Sequence, residues 1–395
     1  MKALFVHDTY YKRDEDGNVY AFGAFPYSLW HTRFLPHFEE LTVIGREKKD
    51  AVDTDALDRS SGGHVTFRLF PNINSPLKRL FGAKPVVNSI YEEVQKADTV
   101  IIRGPVEFGM IAARAARKFG KPYAVEMSGC AFDHTWYHGS LTGKLYAPLK
   151  YMRARSMVSH ADAVIYVTQN FLQKRYPARR LTEYASNVEI ETPENKVLER
   201  RLTKIEQPRD KIVFGLIGNF GNGLKGLGIA LKALGKIKSE LPEFELLLLG
   251  QGDRQNWAPL IHRYGLEENV RFCGTLPGGR PVLEWLDGID IYLQPSYHEG
   301  LPRAIIEAMS RGCPVLASNA GGTRELLPDR FIHEKGDDRT LAKAMKSLVT
   351  EKRENIQEIA RTNFTKSLEY TQEKLMPKRI KFWKDFKKQA REKKL

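Results

Sequence analysis

Short apolar runs that end in glycine or a polar residue, each followed by a helix-like stretch, recur along this chain in two series. The first holds Leu41–Gly45, Thr99–Arg103, Tyr123–Met127 and Ala163–Val167. The second holds Lys211–Gly218, Phe244–Gly250, Val270–Cys273, Ile289–Gln294 and Pro314–Ser318, with helix-like segments over Gly226–Ser239 and after Pro302. Strands of this kind are buried on both faces and need crossover helices between them, so the pattern points to doubly wound parallel sheets. A polar stretch with scattered prolines, about Glu191 to Arg209, separates the two series and reads as a linker. The expected fold is therefore α/β: two Rossmann-like domains facing each other across a cleft, with domains at 1–190 and 210–370, a linker at 191–209 and a basic helix within 371–395. A length of 395 residues agrees, being more than one core usually supports. Ligands of such sheets bind beyond the carboxyl ends of the strands, so the crevice between the domains is the natural site.

Composition narrows the class. Apolar residues make up 42% and charged residues 28%, the profile of a soluble globular protein. The first residues turn polar too soon for a signal peptide and read as a core strand. No apolar run approaches the roughly 18 residues of a membrane helix. Cys130, Cys273 and Cys313 are too few and too scattered for a disulfide framework or a metal site, and suit a reducing cytosol. The net charge of +14 would fit nucleic-acid binding if it formed a reading surface, but half of it lies in the ten basic and three acidic residues of 371–395. Neither a complete zinc-ligand set nor a basic region followed by heptads is present, so no nucleic-acid partner is expected. A basic tail of this kind is a solvated face, or one suited to an anionic membrane surface or a polyanionic acceptor. The expected location is cytoplasmic, peripheral at the inner face of a membrane.

The segment richest in chemistry is Pro295-Ser296-Tyr297-His298-Glu299-Gly300-Leu301-Pro302-Arg303-Ala304-Ile305-Ile306-Glu307-Ala308-Met309. Pro302 suits the first helical position, where its missing N–H costs nothing. The Gly300 and Leu301 amides would then lie beside a helix N-terminus, a site that favours phosphate or other anions. Glu299 and Glu307 beside an anion make electrostatic sense if they grip sugar or ribose hydroxyls. For Glu307 a salt bridge to Arg303 or Arg311, at i−4 and i+4, is the plainer alternative.

Here the chain resembles glycosyltransferase family 4, the large retaining family with the GT-B fold. Its two glutamates separated by seven residues match Glu299 and Glu307, within Asp290–Ser296, Glu307–Val315 and Gly321-Gly322-Thr323-Arg324-Glu325. The resemblance implies that Glu299 approaches the donor sugar and Glu307 binds the nucleotide ribose. A second match is Gly215–Gly226, where the family has a glycine-ended strand, an arginine and a lysine-glycine pair that bind the donor diphosphate. Lys225 fits the lysine. Asn219 stands where arginine is usual, and Arg303 is the candidate replacement, or else a surface arginine. Gly250-Gln251-Gly252-Asp253 resembles the family's glycine-rich turn, or is a bare tight turn. Phe272-Cys273-Gly274 matches the segment that meets the base through its backbone, which makes Gly274 a donor-binding candidate.

Before residue 190 the resemblance is looser. Gly23, in Phe22–Pro26, fits the loop that approaches the donor phosphates, or is an ordinary turn glycine. Ser186-Asn187-Val188-Glu189 looks like a variant of the turn that ends the first domain. Where many members have His-Gly, with the histidine near the reacting carbon, this chain has Ser128-Gly129. The nearest histidines, His134 and His138, lie among Asp133, Trp136 and Tyr137, and His134 is the candidate catalytic substitute. A surface histidine is the bland alternative. The pair also has zinc-like spacing, but no third ligand is evident. Asp14-Glu15-Asp16 and Asp53-Thr54-Asp55 have the D-x-D form of another glycosyltransferase fold, yet sit in polar segments that solvated loops explain better. The resemblance also implies a last helix that crosses back onto the first domain.

The expected activity is transfer of a sugar from a nucleoside diphosphate donor, UDP- or GDP-linked, to a hydroxyl of a carbohydrate or lipid-linked acceptor, with retention. No cofactor and no metal are expected, the nucleotide-sugar being a substrate. The alternatives are a nucleotide-sugar epimerase or hydrolase on the same fold, and a noncatalytic sugar-binding protein.

Overall fold

The computed structural model describes residues 1–21, 25–48, 57–73, 83–138, 140–188, 190–208 and 210–393. Its strands form two sheets. The first contains β1 (Lys2–Arg13), β2 (Val19–Ala21), β3 (Glu40–Glu47), β4 (Asp58–Arg59), β5 (Val65–Phe70), β6 (Thr99–Gly104), β7 (Tyr123–Met127), β8 (Ala163–Tyr166) and β9 (Leu181–Tyr184). Parallel pairing runs β5-β3-β1-β6-β7-β8-β9, and β2 with β4 forms an antiparallel extension on the end of β1. The chain winds outward from β1 in one direction through β3 and β5, then in the other from β6 onward.

The second sheet contains β10 (Ile212–Ile217), β11 (Phe244–Leu249), β12 (Val270–Phe272), β13 (Ile291–Gln294), β14 (Val315–Ser318) and β15 (Ile332–His333). All of its pairs are parallel, in the order β12-β11-β10-β13-β14-β15. Its strand order reverses between β10 and β13, and it is at such a switch point that loops from adjacent strands part and leave a crevice. The helix Leu227–Ile237 follows β10 and buries Leu227, Ala230, Leu231 and Leu234, the three-to-four-residue spacing of a helix face laid on a sheet.

Where a linker is expected, the chain instead forms the helix Asn195–Glu206. Its inward face carries Val197, Arg201 and Ile205, at i, i+4 and i+8. Arg201 is buried and donates to the carbonyls of Leu286, Ile289 and Arg311, all near helix ends. A cation placed there meets the negative ends of these helices and the carbonyl lone pairs they leave open. The helix therefore belongs to the second half, although its sequence is polar.

The last helix, Gln372–Glu392, lies in the basic segment expected to be helical and carries Pro377 in its second turn. It packs on the first sheet's half. Trp383 is buried against Phe34, Phe382 and Phe386, and Arg379 donates to Ala185 O and Asn187 Oδ1. Each such aromatic pair adds about 0.5–1.5 kcal/mol beyond its area burial. Ile380, on the other side of the helix, is exposed.

Candidate active site

The site is assembled from the two loops that leave β10 and β13. After β10, Asn219 Oδ1 accepts from Gly221 N at 2.8 Å and Asn222 Oδ1 accepts from Leu224 N at 3.1 Å, two local turns that carry the chain round to Lys225. Gly226 follows with φ +72°, and a Cβ there would lie 1.9 Å from Pro295 O, so only glycine fits. Tyr297 N donates to Leu224 O at 2.8 Å, stitching the two loops together.

Lys225 Nζ donates to Glu299 Oε1 at 2.7 Å. The same oxygen accepts from Gln294 Nε2 at 2.9 Å, and that amide also donates to Ser296 Oγ at 2.8 Å. Tyr292 OH in turn donates to Gln294 Oε1 at 2.5 Å. Burial alone would push the Glu299 carboxyl up; Lys225, Ser296 and His298 more than offset it and hold the group below its ordinary range. Glu299 is therefore ionised at neutral pH, and its orientation is set by a lysine on one side and a buried amide on the other.

The helix Arg303–Ser310 begins one residue later than expected. Pro302 is its N-cap, with φ −70° and ψ 107°, and Arg303 is the first helical residue. The ring fixes φ but leaves ψ extended, so the chain turns after the proline. Among the described residues, no hydrogen bond occupies the Gly300 or Leu301 amide. Arg303 is exposed. Glu307 is half-buried, and among the described residues its carboxylate has no ion-pair partner, because Arg311 is bidentate to Asp287. Burial raises the Glu307 carboxyl, with Arg303 opposing.

The first half closes against these loops. A Cβ on Gly300 would lie 2.0 Å from Ser128 O, so the two halves touch backbone to backbone at the point where Ser128-Gly129 replaces His-Gly. Ser128 Oγ donates to Gly104 O at 2.8 Å, which turns it away from a catalytic role. His134 lies on the helix Ala131–Tyr137, its ring edge-on to His298 at 5.2 Å and 6.0 Å from His138. Crowding by protein, then the neighbouring His298, Lys150 and His138, lowers the His134 imidazole, so it is neutral at pH 7.

Similarity to known proteins fits this geometry. Residues 211–351 match the family described as glycosyl transferases group 1. Protein CapJ of Staphylococcus aureus is 33% identical over 355 residues, covering 89% of this chain and 87% of that protein. The chain belongs to the group 1 glycosyltransferases. The amylovoran biosynthesis glycosyltransferase AmsK of Erwinia amylovora is 34% identical over 128 residues, 30% of this chain and 31% of that one. Among solved structures, the glycosyltransferase WaaG, involved in lipopolysaccharide biosynthesis, superposes with TM-score 0.65 at 15% identity over 97% of this chain and 99% of that one. Anabaena Alr3699/HepE in complex with UDP-glucose gives TM-score 0.62 at 19% identity over 99% and 98%. The fold is thus GT-B, two Rossmann-like domains facing each other.

In this glycosyltransferase the expected site residues fall into groups. Lys225, Glu299, Gly300 and Leu301 come together at the β10/β13 switch point, with Arg303 and Glu307 on the helix beyond. Asn219 spends its side-chain oxygen on its own turn, and its amide lies 3.5 Å from Gln251 Oε1. Gly274 reaches the site indirectly: its carbonyl accepts from Gly250 N at 2.6 Å, and Leu249 O accepts from Gly218 N at 3.0 Å. Gly23 and Asp53-Thr54-Asp55 lie outside the described residues, as does Glu189. Asp14 accepts from Asn18 N within a local turn. Among the described residues no group of three or more His, Cys, Asp or Glu is placed to hold a metal.

Sequence reasoning named Glu325, Asp133, Tyr137 and Tyr297 but missed that they join the halves. Glu325 Oε1 accepts from Asn170 N at 2.9 Å and Phe171 N at 2.8 Å, and Oε2 accepts from Gln169 N at 2.6 Å. Lys335 Nζ donates to Asp133 Oδ2 at 2.9 Å, and Tyr137 stacks on Tyr297 at 5.3 Å. Gln294 was findable, since a polar residue ending an apolar strand at a carboxyl edge is unusual. The cross-domain partners leave no local signal.

Proposed function

We propose that the chain transfers a sugar from a nucleoside diphosphate donor to an acceptor hydroxyl with retention, without a metal, in the synthesis of a surface polysaccharide, lipopolysaccharide or glycolipid. The observation that carries this is the Lys225–Glu299 pair beside the open amides of Gly300 and Leu301, with the unpaired Glu307 one helical face further on. Lys225, Arg303 and the amides would stabilise charge growing on the leaving diphosphate, the electrostatic term that usually dominates such catalysis. On donor binding the Lys225 ammonium would turn toward the diphosphate, freeing Glu299 to meet the donor sugar. Glu307 would accept from the ribose hydroxyls. Closure of the halves would exclude water and favour transfer over hydrolysis.

The names of relatives and structural neighbours support the reading. One neighbour is held with UDP-glucose, and others bear the names of lipopolysaccharide and amylovoran biosynthesis enzymes. We favour UDP over GDP for that reason, and a lipid-linked acceptor because the last helix keeps Lys384, Lys388 and Arg391 on an exposed basic face. His134 is the proposed polar group near the reacting carbon, neutral and able to donate or accept.

The test is a thermal-shift screen of UDP- against GDP-sugars, followed by product analysis with and without candidate acceptors. Transfer that needs an acceptor and disappears in Glu299→Gln supports the reading. Turnover of donor alone would make the protein an epimerase or hydrolase, and donor binding without any turnover would make it a binding protein.

A further inference from the structure

The helix Leu141–Ser159 packs on the first half through Ala147, Ala154, Met157 and Val158. Its opposite side carries Leu141, Leu145, Leu149 and Met152, which are 78, 83, 52 and 66% exposed. Their spacing of four, four and three residues places all four on one face, and exposed Pro148 lies among them. Isolated exposed leucines are ordinary, but a continuous row of four on one helix is not. The helix contains no acidic residue, and its cations Lys144 and Arg155 are exposed along the same side.

Trp136 extends this surface. It is 37% exposed, stacks on Phe132 at 5.3 Å, and has Lys144 Nζ 5.9 Å from its ring. An indole next to a lysine and a row of leucines is the combination that sits at the boundary between lipid headgroups and acyl chains. Trp136 also belongs to the helix whose Tyr137 stacks on Tyr297 and whose His134 meets His298. The apolar row is therefore continuous with the first half's rim of the cleft, where that rim meets the loop after β13.

We infer that the face formed by Trp136, Leu141, Leu145, Leu149 and Met152 docks on an anionic lipid bilayer, seating the cleft rim at the membrane surface so that a lipid-linked acceptor enters from the bilayer. The apolar row enters the headgroup region while Lys144 and Arg155 meet lipid phosphates, the division of labour of an interfacial helix. Charge selects the occupant: an acid-free helix flanked by cations suits anionic headgroups, and a second copy of the same face would bring those cations together. The basic tail then supplies long-range attraction rather than the insertion surface, since Lys393 is already paired with Asp162 and Lys381 with Asp385. This inference rests on the proposed sugar transfer only for the identity of the acceptor.

The test is sedimentation of the full chain with vesicles of phosphatidylglycerol and phosphatidylethanolamine, and with phosphatidylcholine alone. Binding to the anionic vesicles is expected, weakened by salt. Leu145→Gln/Leu149→Gln should lower the partition coefficient at least about tenfold, while the thermal shift caused by UDP stays as in the parent and so certifies folding. Lys384→Glu/Lys388→Glu should weaken binding less. Absence of binding by the parent, or unchanged binding by the leucine variant, would overturn the inference. So would a parent dimer that the leucine variant dissolves without any vesicle binding by the parent. Vesicle binding by a protein that ignores every nucleotide-sugar would leave the docking intact and refute the proposed function instead.

Discussion

The Lys225 ammonium and the Glu299 carboxylate meet at 2.7 Å, joining the loop after β10 to the loop after β13. The acid's side chain is 10% exposed and the lysine's 30%, and the ammonium helps to keep the buried carboxyl ionised. Lys225→Met is expected to lower kcat/KM for the donor by about 10- to 100-fold, because a charged hydrogen bond contributes about 1.5–3 kcal/mol. A double-mutant cycle with Glu299→Gln, read by thermal unfolding of the free protein, should return a coupling of about 1 kcal/mol. Zero coupling would mean that the two groups do not pair in solution.

Gln294 tests whether the orientation of Glu299 matters. Gln294→Leu removes the amide that donates to Glu299 Oε1 and leaves Tyr292 OH without its acceptor. A lost buried hydrogen bond costs about 1–3 kcal/mol, so stability should fall by that amount. If Gln294 positions the acid, kcat should fall further than KM rises, and Gln294→Glu, with an acceptor where the donor was, should not rescue it.

The titration of Glu307 gives a pH dependence with a definite sign. Burial raises its carboxyl above 4.5, so the proton returns at a higher pH than for an ordinary glutamate. A protonated Glu307 is a poorer acceptor for ribose hydroxyls. Affinity for UDP-glucose, whose diphosphate holds its charge over this range, should therefore weaken on acidification before the usual glutamate range is reached. Glu307→Gln should bind more weakly at pH 7 and lose that pH dependence. Calorimetric titration from about pH 8 to 5 reads both, and a parent profile that stays flat would remove Glu307 from the ribose.

Two glycines separate folding from closure. Gly226→Ala places a methyl 1.9 Å from Pro295 O at φ +72°, inside one domain, and should destabilise the fold by about 1–3 kcal/mol. Gly300→Ala places its methyl 2.0 Å from Ser128 O, across the cleft. The clash falls between the halves and not inside either sheet, so thermal unfolding should change less than for Gly226→Ala. Sugar transfer should fall at least about tenfold, since displacements near 1 Å suffice for such losses. A fully active Gly300→Ala protein would show that the closed contact is not needed for turnover.

Glu325 holds three amides of the opposite half at the start of the helix Phe171–Arg175. Glu325→Ala leaves those donors to water and removes a carboxylate from a helix N-terminus, which together contribute about 1–2 kcal/mol. The cleft should then stand open more of the time. Small-angle scattering should report a larger radius of gyration without nucleotide, and KM for the donor should rise. An unchanged radius and KM would confine Glu325 to local capping.

Much of this architecture was legible in the sequence, and the exceptions have physical causes. β7 runs over Tyr123–Met127, the residues expected, because a strand buried on both faces announces itself as an unbroken apolar run. The helix Asn195–Glu206 was hidden because one of its three core positions is Arg201, whose partners are carbonyls distant in sequence. Lys225, Glu299 and Glu307 stand out because their loops and helix are short and each keeps a fixed relation to a strand end. His298 and Glu325 acquire their roles only through contacts with other elements. The row from Leu141 to Met152 escaped notice for a different reason: its helix is apolar on both the packed and the exposed side, so no single face stands out.

The course of the last helix has a consequence for how this chain can be divided. Gln372 N donates to Ile190 O at 2.9 Å, so the segment leaving the first half and the segment re-entering it run side by side. A product ending near residue 370 would retain the second sheet's half whole while stripping Trp383 from Phe34 and Phe38. Grafting another transferase's second half into this one therefore calls for an insertion between two seams that touch, near 190 and 371, and a single crossover at either seam would yield a chimaera with a mismatched core.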